Sequence, residues 1–196
     1  MISQTTFSAI DFESAGTASG KTDAPIQIGI ASAQLHGDSN TWESYIYTDK
    51  PITWAAQKVH GITKEDLADA PKLPLLCPEI KHRLADCAVV AHGHGTEKRF
   101  LRAFPGHGFG PWIDTLTLSR AVYPTLSSHS LSNICESLSL QAEISSLVPD
   151  KSWHDALYDA AASLILLKHI ISSFDLDNQP VSLLTSPDTS VWRSQK

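Results

Sequence analysis

Residues 6–33 read TFSAIDFESAGTASGKTDAPIQIGIASA, and the two ends of this stretch decide the fold. Residues 8–12, entered through Thr6 and Phe7, form a short β-prone run, and residues 25–33, PIQIGIASA, alternate apolar and polar side chains at the period of a pleated strand. Between them, residues 14–23 are rich in Gly, Ser, Thr and Ala and read as a loop beside the first strand, a common place to meet a ligand. Residues 41–48, TWESYIYT, carry the aromatic and β-branched side chains of a third strand and complete an antiparallel meander. Alternation within Asp11-Phe12-Glu13 puts both carboxylates on one side of the first strand and Phe12 on the other. Two acids held together repel unless a cation intervenes. Alone, however, a D-x-E is an ordinary polar strand end.

Farther along, strand and helix signals interleave. Residues 55–70 mix helix with a turn at His60-Gly61, and Pro71, Pro74 and Pro78 predict a break before a helix over 79–86. The apolar run 88–92, AVVAH, predicts a strand buried on both faces, ending in glycine-rich 93–95. Thr96 is the expected N-cap of a short helix with Phe100, Leu101 and Phe104 as its apolar stripe. Glu97 lies three, four and seven positions before those residues and therefore points inward. A first-turn acid complements the helix dipole by about 0.3–1 kcal/mol, which explains an acid in this turn but not its inward face.

Residues 113–122, with a strand-like start, and 131–140 predict two more helices. In the last, 155–174, Leu157, Ala160, Ala161, Leu164, Ile171 and Phe174 recur at helical spacing. Asp159 has Asp155, Ala156, Ala162 and Ser163 as helical neighbours, small residues that let this helix lie close to a sheet. His154 belongs to the preceding loop or first turn, from which it could swing over a site anchored by Asp159.

Strands first, then strand and helices in alternation, predict an α/β fold with a mixed sheet flanked by helices. A chain of 196 residues, 42% hydrophobic, suits a single domain, with a loosely held tail over 177–196. Cys77, Cys87 and Cys135, an odd number without metal-type spacing, fit a reducing, cytoplasmic compartment. No run approaches the roughly 20 apolar residues of a membrane span, and the start lacks a basic then apolar leader.

The net charge of -6 argues against a broadly basic nucleic-acid surface, yet acids that hold divalent cations present positive charge to phosphate. Asp11, Glu13, Glu97 and Asp159, with His154, sit at element ends or inward faces. Such an oxygen-rich set suits Mg²⁺ or Mn²⁺ rather than zinc, and two such ions about 3.5–4 Å apart are a recurrent way to cleave phosphodiesters. His92-Gly93-His94 with His107 is a weaker zinc set, because glycines flank His94 and no cysteine or acid completes a tetrahedron.

These residues resemble the DnaQ-like, or DEDDh, 3′-to-5′ exonucleases, and the likeness runs from Phe7 to about Ile171. AIDFESAG (9–16) is similar to the family's first motif, a D-x-E followed by a small residue and a glycine. VHGIT (59–63) matches a signature of the proofreading members associated with polymerase III. VAH (90–92) through Phe100-Leu101 resembles the second motif, Asp114-Thr115-Leu116 with His129-Ser130-Leu131 the segment after it, and HDALYDA (154–160) the third, H-x4-D. Two positions depart: Glu97 stands where the family normally has Asp, and Gly93 where it often has Asn.

The resemblance implies a ribonuclease H-like mixed five-stranded sheet in an exonuclease domain over 1–176, working with two Mg²⁺ (or Mn²⁺). By it, Asp11, Glu13 and Asp159 would bind the first metal, His154 would take the proton from its water, and Asp11 with Glu97 would hold the second metal. The backbone from Phe12 through Ser14 and Ala15 to Gly16, with His60 and Ile62, would hold the terminal nucleotide. The expected activity is release of nucleoside 5′-monophosphates from single-stranded 3′ ends. The VHGIT signature favours DNA, proofreading or repair, and a DNA polymerase as partner. A 3′-to-5′ exoribonuclease is an alternative, and so is a non-catalytic nucleic-acid or polymerase binding module in which Glu97 marks a decayed site.

Overall fold

The computed structural model describes residues 1–17, 23–104 and 108–187. Part of the small-residue loop, His107 of the alternative zinc set, and the tail beyond 187 lie outside the described residues. Five strands, β1 (Thr6–Ser14), β2 (Pro25–Gln34), β3 (Asn40–Tyr45), β4 (Ala88–Ala91) and β5 (Trp112–Asp114), form one sheet in the order β3-β2-β1-β4-β5. β1 and β3 each run antiparallel to β2, whereas β1, β4 and β5 are mutually parallel, so the sheet is mixed, as expected. Because parallel strands share a direction, the carboxyl ends of β1, β4 and β5 emerge along one edge, the usual place for a site in such sheets.

The helices are α1 (Trp54–His60), α2 (Leu73–Leu84), α3 (Gly95–Leu101), α4 (Thr115–Val122), α5 (Leu131–Ser137), α6 (Gln141–Leu147), α7 (Ala156–Ser173) and α8 (Ser182–Thr185). Alternation along β1 divides the core. Phe7 and Ala9 face α7 and its neighbours, while Ile10 and Phe12 join Ile80 and Leu84 of α2 and Phe100 and Leu101 of α3 on the other face. α7 crosses the sheet closely, since a Cβ on Gly29 of β2 would overlap the main chain of Ala156 and Leu157. The same helix is long and apolar enough to cross a membrane by composition, but most of it is buried in this fold as the central core helix.

Several elements differ from the sequence expectation. α2 starts at Leu73 rather than Glu79: Pro74 sits in its first turn, where a missing N–H costs nothing, and Pro78 removes one helical hydrogen bond in a helix that buries Leu73, Ile80 and Leu84. α3 begins at Gly95 with His94, not Thr96, as N-cap. The helix expected over 131–140 ends at Ser137, Ser139 turns left-handed at φ 58°, and a separate α6 follows, with Ile144 buried. The described part of the C-terminal segment is docked rather than loose. The Ile2 and Ser3 N–H groups donate to the carbonyls of Gln179 and Asp177, both at 2.9 Å, and Leu184 is fully buried.

Candidate active site

The pleat of β1 delivers two carboxylates to the α7 side of the sheet. Asp11 lies opposite Gly29 and Glu13 opposite Gln27 on β2, and the ladder shifts register between Glu13 and Ser14, where the strand leaves the sheet. α7 is capped by Asp155, whose Oδ1 accepts the N–H groups of Leu157 and Tyr158 at 2.9 and 3.4 Å. The cap fixes the first turn, and the first turn carries Asp159. Glu13, His154 and Asp159 each bring a ligand atom to within 4.8 Å of the other two. His154 itself sits in the left-handed region at φ 69°, a conformation costing a non-glycine residue about 1–2 kcal/mol.

Glu97 approaches from α3 and is inward, as its spacing predicted, at 4% exposure. Its Oε2 and Asp159 Oδ1 are, among the described residues, the buried side-chain polar atoms left without a hydrogen-bond partner. Folded proteins pair nearly all such atoms. Orphaned carboxylate oxygens beside Glu13 and Asp11 therefore suit a divalent cation, whose hard charge takes oxygen ligands.

The electrostatics agree. Burial, and after it the charges of Asp159, Glu97 and Glu13, hold the Asp11 carboxyl well above the usual range. Asp11 thus senses the other three carboxylates. Burial, then Asp159 and Asp155, raise Glu13 from 4.5 to about 8. Burial lifts Glu97 from 4.5 to about 7 and, against the pull of the His154 main-chain N–H, Asp159 from 3.8 to about 7.

In a chelator, the folded carboxyls retain protons that the unfolded chain has already released, so folding stability falls as pH rises from about 4.5 through about 8. The melting temperature in EDTA should be at least ~5 °C higher at pH 5 than at pH 8. Excess Mg²⁺ or Mn²⁺ should remove most of that difference, because the cation binds the deprotonated carboxylates. Equal melting temperatures in EDTA at the two pH values would show that these groups do not store protons.

The nucleotide-binding candidates gather around one loop, unequally presented. Phe12 packs edge-on to Phe100 at 5.4 Å, on the far side of the sheet, and Ile62 and Ala15 are buried with Ile26 and Leu67. These three offer mainly backbone. Gly16 is left-handed at φ 82°, and a Cβ there would overlap Thr53 Oγ1, the N-cap of α1. His60, at the other end of α1, accepts the Ile62 N–H on Nδ1 at 3.0 Å and donates from Nε2 to the Ser14 carbonyl at 3.2 Å. Both ring nitrogens are spent on holding the loop.

The zinc alternative loses its first ligand in the same way. His92 bonds Thr115 Oγ1 and the His129 carbonyl at 3.0 and 2.9 Å, and His94 Nε2 meets Lys98 Nζ at 2.9 Å. Gly93 is left-handed at φ 81° and donates its N–H to Asp114 at 2.9 Å. Asn tolerates that conformation too.

Sequence reasoning passed over Gln27, Glu43 and Lys151, which bond Asp155 or one another at the head of α7. Gln27 carried a signal. It is a polar residue on the core-facing side of PIQIGIASA, where Ala31 and Ala33 also point, and a buried amide in that place needs partners.

The RNase_T family model, described as "Exonuclease", matches residues 8–167. The chain is 30% identical, over 97% of its length, to the "DNA polymerase III PolC-type" of Mycoplasma genitalium, and 30% identical, over 89%, to the "3'-5' exonuclease DinG" of Staphylococcus epidermidis. It spans only 13% and 19% of those proteins' own lengths. Among solved structures, Exonuclease X in complex with 5′-overhanging duplex DNA superposes with a TM-score of 0.72 at 24% identity, covering 92% of this chain and 99% of that one. S. pombe Pop2p, in a form with Mg²⁺ and Mn²⁺ bound, superposes at 0.68 and 14% identity, covering 93% and 89%. These likenesses share the ribonuclease H-like fold.

Proposed function

The chain belongs to the exonuclease family, and from that premise we propose that it is a divalent-metal-dependent 3′-to-5′ exonuclease acting on single-stranded DNA ends. The observation that carries this reading is the meeting of Glu13, His154 and Asp159 within 4.8 Å, beside the orphaned oxygens of Glu97 and Asp159. Asp11, Glu13 and Asp159 would hold one cation, and Asp11 with Glu97 would hold a second. When bound, Mg²⁺ or Mn²⁺ there supplies positive charge to the phosphate and acidifies water.

The protein's own residues do the rest. His154 takes the proton of the attacking water on an imidazole nitrogen, the water oxygen bonds to phosphorus, and the bond to the 3′ oxygen of the preceding nucleotide breaks, that oxygen keeping the electron pair and taking a proton from solvent to become a 3′ hydroxyl. A nucleoside 5′-monophosphate leaves. The backbone at Ser14 to Gly16, braced by Thr53 and His60, seats the terminal nucleotide. Main-chain contacts tolerate any base, and a net charge of -6 argues against a broadly basic surface, so short, sequence-independent encounters are expected.

The domain spans 1–176 and the segment 177–196 is its C-terminal tail. The likeness to PolC-type and DinG proteins supports DNA over RNA and a polymerase partner in proofreading or repair. A cytoplasmic setting suits the free cysteines.

The test is a 3′-labelled single strand incubated with Mg²⁺ or Mn²⁺, as matched DNA and RNA. Labelled mononucleotide should appear at the earliest times, faster from DNA. Faster release from RNA would make the protein an exoribonuclease. No release from either strand, with retained binding, would make it a binding module.

A further inference from the structure

The five residues 151–155 carry His154 on its left-handed backbone, and both ends of this stretch are tied to the sheet. Lys151 Nζ donates to Glu43 Oε2 of β3 at 2.6 Å and to Asp155 Oδ2 at 3.1 Å. Gln27 Nε2 donates to the same Asp155 oxygen at 3.0 Å, while Gln27 Oε1 accepts the Ala156 N–H at 3.1 Å. Between the ties, the Asp155 N–H closes a turn on the Ser152 carbonyl at 3.1 Å, and the Trp153 ring packs edge-on to Tyr158 at 4.9 Å. Gln27 is 2% exposed. Both Asp155 oxygens are engaged, one by the α7 cap and one by Gln27 and Lys151.

The hydrogen bonds named above stay within this network or go to the first turn of α7, so its members are engaged in holding the head of that helix. Its effect falls on the residue between the ties. A left-handed histidine persists only where its surroundings hold it there. A general base also loses efficiency quickly when its ring is free to turn away from the water it must deprotonate. Lys151 further places a positive charge between Glu43 and Asp155, which would otherwise add two unpaired negative charges at the head of α7.

Resting on the exonuclease reading above, we propose that Gln27, Glu43, Lys151 and Asp155 form a polar clamp of positioning residues that fixes the His154 ring over Glu13 and Asp159. Lys151 closes it, by joining the β3 edge to the loop. The site therefore contains a rigid base rather than one that swings in with substrate.

Lys151→Met should lower kcat on a single strand about tenfold, the lower end of what such supporting contacts contribute, with KM within about twofold of wild type. Lys151→Arg should restore most of the loss. In a His154→Ala background, Lys151→Met should change kcat less than about twofold, because the residue it positions is gone. Independently of activity, amide hydrogen exchange at 153–155 in the metal-free protein should quicken at least about tenfold in Lys151→Met, with β1 and β2 unchanged. The same factor of loss with and without His154, or wild-type exchange at 153–155, would overturn the clamp. Glu43→Gln serves the same comparison if Lys151→Met does not fold. A wild type that releases no mononucleotide would defeat the exonuclease reading alone, and the exchange measurement would still decide the clamp.

Discussion

Asparagine in place of Asp11 is expected to cut mononucleotide release by at least ~10³-fold while raising the melting temperature of the metal-free protein by a few degrees. Asp11 is the carboxylate that senses Asp159, Glu97 and Glu13 together, the position expected of a ligand shared between two cations. The amide keeps its shape but not its charge. At about 1.4 kcal/mol per tenfold, losing roughly 4 kcal/mol of metal-mediated stabilisation gives that factor. In EDTA the balance reverses, since the substitution removes a buried carboxyl that must hold a proton the unfolded chain releases. Single-turnover cleavage against Mg²⁺ concentration, with calorimetry in EDTA, reads both effects. Activity within tenfold of wild type would take Asp11 out of the metal site, and a lower melting temperature in EDTA would show that its carboxyl holds no such proton there.

Glu97→Ala carries the second large expectation, a loss of about 10²–10³-fold, with Glu97→Asp recovering to within about tenfold of wild type. Glu97 is 4% exposed and leaves Oε2 without a partner, so its carboxylate is placed for a ligand outside the protein. Its extra methylene relative to Asp lengthens the reach from α3 without changing the charge. Alanine removes the oxygen and leaves Asp11 alone on that side. Cleavage rates for the three forms, each titrated with Mn²⁺, make the comparison. Wild-type rates in both variants would assign Glu97 to the helix dipole and end its role at the site.

Much of this site was legible in sequence because its residues obey local periodicities. Alternation along β1 put Asp11 and Glu13 on one face, and the structure turns that face to α7. Helical spacing made Glu97 an inward acid and marked the small residues around Asp159 that let α7 lie on Gly29. Where the reading slipped, a local rule met a tertiary competitor. The prolines argued for a break, but burial of Leu73, Ile80 and Leu84 carries α2 through Pro78. The polar tail argued for looseness, but hydrogen bonds to Ile2 and Ser3 and the burial of Leu184 dock its described part. Lys151 and Asp155, on either side of His154, are tied to Glu43 of β3 and Gln27 of β2, over separations that no local rule spans.

By itself, then, the sequence determined the α/β fold, the strand and helix that bear the acids, and the inward face of Glu97. Those properties depend on backbone periodicity within one element, which twenty residues suffice to express. Only the tertiary structure decided that Glu13 meets His154 and Asp159, that two carboxylate oxygens remain unpartnered, and that Gln27 and Glu43 hold the head of α7. Those contacts join residues more than a hundred positions apart. They exist because the β1–β2 register and the bare Cα of Gly29 let α7 settle at one height on the sheet, and no periodicity within a single element specifies that height.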